Sequence, residues 1–73
     1  MKVINLTIGG MQGKDCAERI HWALDRLPGV GLSDVSWEKG TARIVFDPDE
    51  VAEGRLRAAI ERAGYSVERG PGT

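Results

Sequence analysis

One cysteine, Cys16, stands among the 73 residues, so no disulfide can form within the chain and no covalent staple assists the fold. A domain of this length buries only about 60% of the surface its unfolded chain exposes, and its core must hold by packing alone. A lone thiol also fits a reducing compartment. Long apolar runs are missing too. The longest covers a few residues, against the ~20 that cross a bilayer. Lys2 is followed by an alternating segment where a secretory leader would run on unbroken. A cytoplasmic chain with no membrane partner is the expectation. Nor does one sign of charge dominate: ten basic and eleven acidic residues, scattered along the chain, leave a net charge of -1. No basic stripe therefore marks a nucleic-acid partner. A nucleophile paired with a base, a glycine loop followed by Lys-Ser/Thr and a cluster of carboxylates are all lacking, so no enzyme is expected.

What the chain does have is 41% hydrophobic and 29% charged residues, set in a pattern too apolar for disorder and sufficient for one globular domain. From Met1 to Ile8, Ile4, Leu6 and Ile8 alternate with Val3, Asn5 and Thr7, the signature of a half-buried strand. Gly9-Gly10 breaks it, and a short loop leads into Cys16, Ala17, Ile20, Ala23, Leu24 and Leu27, spaced as one face of an amphipathic helix. Asp15 and Glu18 near its start and Arg26 near its end complement the helix dipole, and Pro28-Gly29 ends it. Ser33, Val35 and Trp37 then alternate, Glu38-Lys39-Gly40 turns, and Ala42, Ile44 and Phe46 alternate again, which predicts a hairpin with Trp37 in the core.

Leu56, Ala59, Ile60 and Ala63 predict a second helix stopped by Gly64. Its start is poorly marked. Asp49 offers a cap, but Gly54 would then sit inside the helix at a cost of roughly 1 kcal/mol relative to alanine. Tyr65, Ser66 and Val67 make a last short strand, and from Arg69 onward Gly-Pro-Gly-Thr reads as a disordered tail. The domain is placed at 1–69 and the tail at 70–73. Strand, helix, strand, strand, helix, strand is the order of an α+β, ferredoxin-like βαββαβ sandwich, with two helices on one face of a four-stranded antiparallel sheet.

Several segments together resemble one family. Leu6-x-Ile8-x-Gly10-Met11, Cys16-x-x-x-Ile20, Leu24, Leu27-Pro28-Gly29-Val30, Phe46-Asp47-Pro48 and Leu56-x-x-Ala59-Ile60-x-x-Ala63-Gly64-Tyr65 look like the heavy-metal-associated (HMA) domains of copper chaperones, metal-pumping ATPases and mercury-resistance proteins. The family motif is Gly-Met-x-Cys-x-x-Cys. This chain reads Gly10-Met11-Gln12-Gly13-Lys14-Asp15-Cys16, with Gly13 at the first cysteine position. The resemblance implies carriage of a soft ion, Cu(I) or else Hg(II) or Ag(I). Two thiolates suit such an ion, and one sulfur does not suffice alone.

Cys16 is nevertheless placed where a helix begins, with Lys14 close in sequence, and both features favour a thiolate. The resemblance implies that Met11 turns into the core in support of the loop and that Tyr65 lies beside the sulfur. His21, five residues beyond Cys16, falls roughly 140° away around a helix and reads as a solvent-facing residue that does not share an ion with it. Trp22 lies opposite Ile20 and Leu24, where exposure would mark a contact surface. The leading account is a metal-binding or trafficking domain whose second ligand comes from another molecule. That molecule is a second Cys16 in a metal-bridged homodimer, a metal-transporting ATPase or other HMA-like domain, or a small thiol. The alternative is a metal-free interaction module that keeps the fold. Thiol redox chemistry ranks last, because no resolving cysteine is present.

Overall fold

The structure, a computed structural model, describes residues 1–69, and the expected tail at 70–73 lies outside them. Strand β1 (Lys2–Gly9), helix α1 (Lys14–Asp25), strands β2 (Val30–Ser36) and β3 (Thr41–Phe46), helix α2 (Glu53–Arg62) and strand β4 (Ser66–Arg69) follow in that order. Every pairing is antiparallel, and the sheet runs β2-β3-β1-β4. This is the ferredoxin-like arrangement expected from the order of periodicities. No helix of the described residues is long and apolar enough to cross a membrane.

The alternation of β1 sends Ile4, Leu6 and Ile8 to the helix side, where they meet Ala42, Ile44 and Phe46 of β3, Ile20 and Leu24 of α1, and Leu56 and Ile60 of α2. Leu6, Ile20, Leu24, Ile44, Leu56 and Ile60 are wholly buried. Each such side chain contributes about 1.5–3 kcal/mol relative to an exposed one. Val51, which no periodicity singles out, is drawn into the same core from the segment before α2.

Strand β2 carries a bulge: Val30 pairs with Phe46 and Leu32 with Val45, leaving Gly31 as the extra residue. The bulge resets the alternation, so that Val30, Ser33 and Val35 stand opposite the core-facing Phe46, Ile44 and Ala42. Leu32, Asp34 and Ser36 are thereby turned to the open face of the sheet.

Two expectations fail here. Trp37 is not a core residue. The strand stops at Ser36, Trp37 begins the turn, and its side chain is 42% exposed. It lines a groove between α1 and β2 together with Lys14, Glu18 and His21. Asp49 does not cap α2 either. Its backbone N–H donates to Oδ1 of Asp47 at 3.0 Å, a local turn that ends β3, and the helix starts later, behind Ala52, with no side-chain cap. Gly54 consequently occupies the first turn rather than the interior of the helix. The other end is as expected, with Gly64 at φ +103 just beyond the Ala63 cap, a backbone conformation that favours glycine.

Candidate metal centre

The loop from Gly10 to Gly13 joins β1 to α1 at one end of the sheet. Gly10 sits at φ +96, and a Cβ there would meet Cδ1 of Tyr65 at 3.5 Å, so the turn and the tyrosine ring define one another. Met11 is partly buried and packs against the hydrophobic core, as does Tyr65. Gly13 is the N-cap residue of α1, with an extended backbone (φ 178) and no side-chain cap. Its carbonyl receives the N–H groups of Cys16 at 3.1 Å and Ala17 at 3.4 Å. Nothing lies within 4 Å of the place a Cβ at Gly13 would take.

Cys16 therefore emerges from the first turn of α1 and is only partly covered. The backbone N–H of Gln12 and the Tyr65 hydroxyl donate to its sulfur, with the Gly13 N–H and the charge of Arg19 adding to them. Against the opposing effect of partial desolvation, these hold the thiol below its ordinary value of 9.0. Tyr65 responds in the opposite direction. The sulfur that accepts its proton keeps the phenol above its ordinary value of 10.0, so Tyr65 remains a donor while Cys16 ionises. The cation acting on the sulfur is Arg19, one turn along the helix, which the sequence reading missed. Lys14 occupies the first helical position and is exposed. Helical spacing from Cys16 to Arg19 was the signal that would have found it.

His21 does not serve this loop. Its Nδ1 stands 2.6 Å from Oγ of the buried Ser33 and 3.0 Å from the carbonyl oxygen of the same residue. As an acceptor it takes the hydroxyl proton; as an N–H it donates to the carbonyl. The residue is exposed, as expected, yet its ring fastens α1 to the edge strand β2. Trp22 is 69% exposed, and together with Arg19, Arg26 and Ala63 it lines a shallow depression on the helix face. Among the described residues no group of three or more His, Cys, Asp or Glu side chains gathers to hold an ion. One sulfur with strong donors around it is what this loop offers.

The family model of the heavy-metal-associated domain matches residues 5–66, which include the loop, both helices, strands β2 and β3 and the greater part of β1. The chain belongs to the heavy-metal-associated domain family. This HMA domain is 35% identical over 68 residues to the copper chaperone CopZ of Staphylococcus saprophyticus, covering 93% of the chain and all of the relative. It is also 35% identical over 66 residues to a copper-exporting P-type ATPase of Bacillus subtilis, but spans only 8% of that protein's length. Among solved structures it is similar to a copper-binding domain from HMA7, a P-type ATPase, with TM-score 0.92, 31% identity and coverage of 96% of this chain and 95% of that one. A CopZ metallochaperone gives TM-score 0.89 and 31% identity, with coverage of 92% and 100%. The family and its chaperone relatives bear out the reading of a carrier-type domain rather than an enzyme.

Proposed function

We propose that this HMA domain binds and passes on a soft, thiophilic ion, Cu(I) first, through Cys16 as its single thiolate, with the second ligand supplied by another molecule. The observation that carries the reading is the set of donors aimed at Cys16. Amide N–H groups of Gln12 and Gly13, the Tyr65 hydroxyl and the Arg19 charge all favour negative sulfur on a partly exposed side chain. A merely structural cysteine needs none of them. The copper chaperones and copper-ATPase domains to which the chain is similar support Cu(I) over Hg(II) or Ag(I) as the cargo. A two-coordinate ion between two sulfurs is the arrangement such cations prefer. The second sulfur comes from Cys16 of another copy, from an HMA-like domain of a metal-transporting ATPase, or from a small thiol in a reducing, cytoplasmic setting.

The deciding experiment is anaerobic titration of the reduced protein with Cu(I), followed by mass measurement in solution. Binding saturates at one ion per two chains with doubling of the mass, or at one per chain when a small thiol is supplied. Cys16→Ala abolishes both. Unchanged mass and unchanged thermal stability at every Cu(I) level would leave the metal-free interaction module as the function, since a ligand that prefers the native state must raise its stability. The exposed Trp22, beside Arg19 and Arg26, is the observation that favours this second reading.

A further inference from the structure

The two helices pack against one another, and a hollow lies between them, bounded by the end of α1 from Ala23 to Leu27 and by α2 from Arg55 to Ala63. Ala23, Leu27, Ala59 and Ala63 are partly buried and make its floor, while Arg26, Arg55 and Arg62 are exposed along it. No acidic side chain lines it. In a chain whose net charge is -1, three guanidinium groups thus border one apolar hollow without a carboxylate among them.

The hollow runs on into the shallow depression that holds Trp22 and Arg19, since Ala23, Arg26 and Ala63 line both. Asp15 and Glu18 line that depression toward the start of α1, so the charge changes sign on approaching Cys16. Trp22, at 69% exposure, adds nothing to the core. Tryptophan and arginine are the residues that carry most of the binding energy where proteins meet.

The floor selects the shape of the occupant. Its alanines end at Cβ, so another backbone can come close, and a third helix laid over two neighbouring ones fills such a hollow. A flat anionic membrane would meet the arginines and Trp22 but not the recessed floor. A nucleic acid would be opposed by the net negative charge. We propose that the hollow between α1 and α2 is a docking site for an acidic amphipathic helix of a protein partner. Its apolar face lies on the alanines, its carboxylates meet Arg26, Arg55 and Arg62, and Trp22 packs against one end. Ala23 to Leu27 follow Cys16 by seven to eleven residues, about 10–16 Å along a helix. The docked helix therefore leaves the sulfur open, and the site does not depend on whether Cys16 holds an ion.

The probe is a synthetic amphipathic helix of about 20 residues, with leucines along one face and glutamates flanking them, titrated calorimetrically into the natural chain in reductant and chelator. Binding is expected to saturate at one peptide per chain and to weaken as salt rises. Arg26→Glu, Arg55→Glu and Arg62→Glu each weaken it by about tenfold or more, and Trp22→Ala does so by a similar factor. Arg57→Glu, exposed on α2 but outside the hollow, makes the same change in net charge and has a far smaller effect. Cys16→Ala binds as tightly as the natural chain, which separates this site from the ion. Thermal melts confirm that each variant is folded. No binding of the glutamate peptide, equal binding of a peptide with lysines in place of the glutamates, a loss in Arg57→Glu as large as in Arg26→Glu, or preference for vesicles of anionic phospholipid would each overturn the proposal.

Discussion

At the scale of single residues, the chemistry rests on how Cys16 and Tyr65 divide one proton. The phenol donates to the sulfur and lowers its pKa, while the sulfur holds the phenol above its ordinary value. Tyr65→Phe removes one donor and leaves the Gln12 and Gly13 amides in place. The midpoint of alkylation rate against pH should then move upward without reaching that of an unfolded cysteine; an unmoved midpoint would reduce Tyr65 to packing. Stability carries the same sign. The folded chain holds Cys16 below its unfolded value, so the cysteine contributes stability above about 9.0, and that contribution is lost as pH falls through the folded value. The melting-temperature gap between the natural protein and Cys16→Ala is therefore expected to widen as pH rises toward 9.0, and a gap that narrows would contradict the thiolate. Gly13→Cys should fit without strain, since nothing occupies its Cβ position and its backbone is extended. Tight Cu(I) binding by a monomer is the expected result, measured by competition with a colorimetric chelator. Affinity equal to that of the natural chain would mean that this loop does not hold metal.

At the scale of elements, α2 has a weakly built start. It begins behind Ala52 with no side-chain cap and carries Gly54 in its first turn, where a Cβ would meet nothing within 4 Å. Gly54→Ala is expected to stabilise the domain by up to about 1 kcal/mol, and Ala52→Asp by about another 1 kcal/mol, read from urea midpoints. A loss of stability in either would show that the first turn is not helical in solution. What the sequence made legible here followed local rules. The periodicities of β1, α1 and β3 and the Gly64 stop are each set by a few neighbouring residues. Trp37 and Asp49 were misread because their fates are decided by partners. The alternation that would bury Trp37 holds only while β2 stays paired, and pairing ends at Ser36. Asp47 takes the Asp49 N–H into a turn, which competes with capping. The Gly31 bulge was equally invisible, since it exists only against the register of β3.

At the scale of the whole molecule, one core joins both helices to β1 and β3, with partly buried residues of β2 and β4 packed against it, and leaves no second layer to compensate for damage. Leu56→Ala, at a wholly buried position between α2 and the sheet, should cost about 2–5 kcal/mol, a large fraction of what any small domain possesses. Loss of a cooperative thermal transition near room temperature is the expected readout, and a stability within measurement error of the parent would show that the core relaxes around the gap. The β-α-β-β-α-β order was legible because each element announces itself locally, and antiparallel pairing with short connections leaves few ways to assemble the pieces. The candidate site was legible as far as the position of Cys16 and, through the family resemblance, the placement of Met11 and Tyr65. That the charge of Arg19 acts on its sulfur, and that Ser33 holds His21, depend on how side chains are placed in space.

The clasp between His21 and Ser33 has a bearing on traffic through the loop. It ties the middle of α1 to the rim strand, and the first turn, which bears Cys16, is carried on the helix so fastened. On the proposed reading of Cys16, a sulfur held on a fastened helix leaves less ordering to be done when an ion arrives. If Cys16 holds its ion as proposed, such a one-handed grip suits a relay, in which cargo is received and surrendered at the same doorway, better than a store that must wrap around what it keeps.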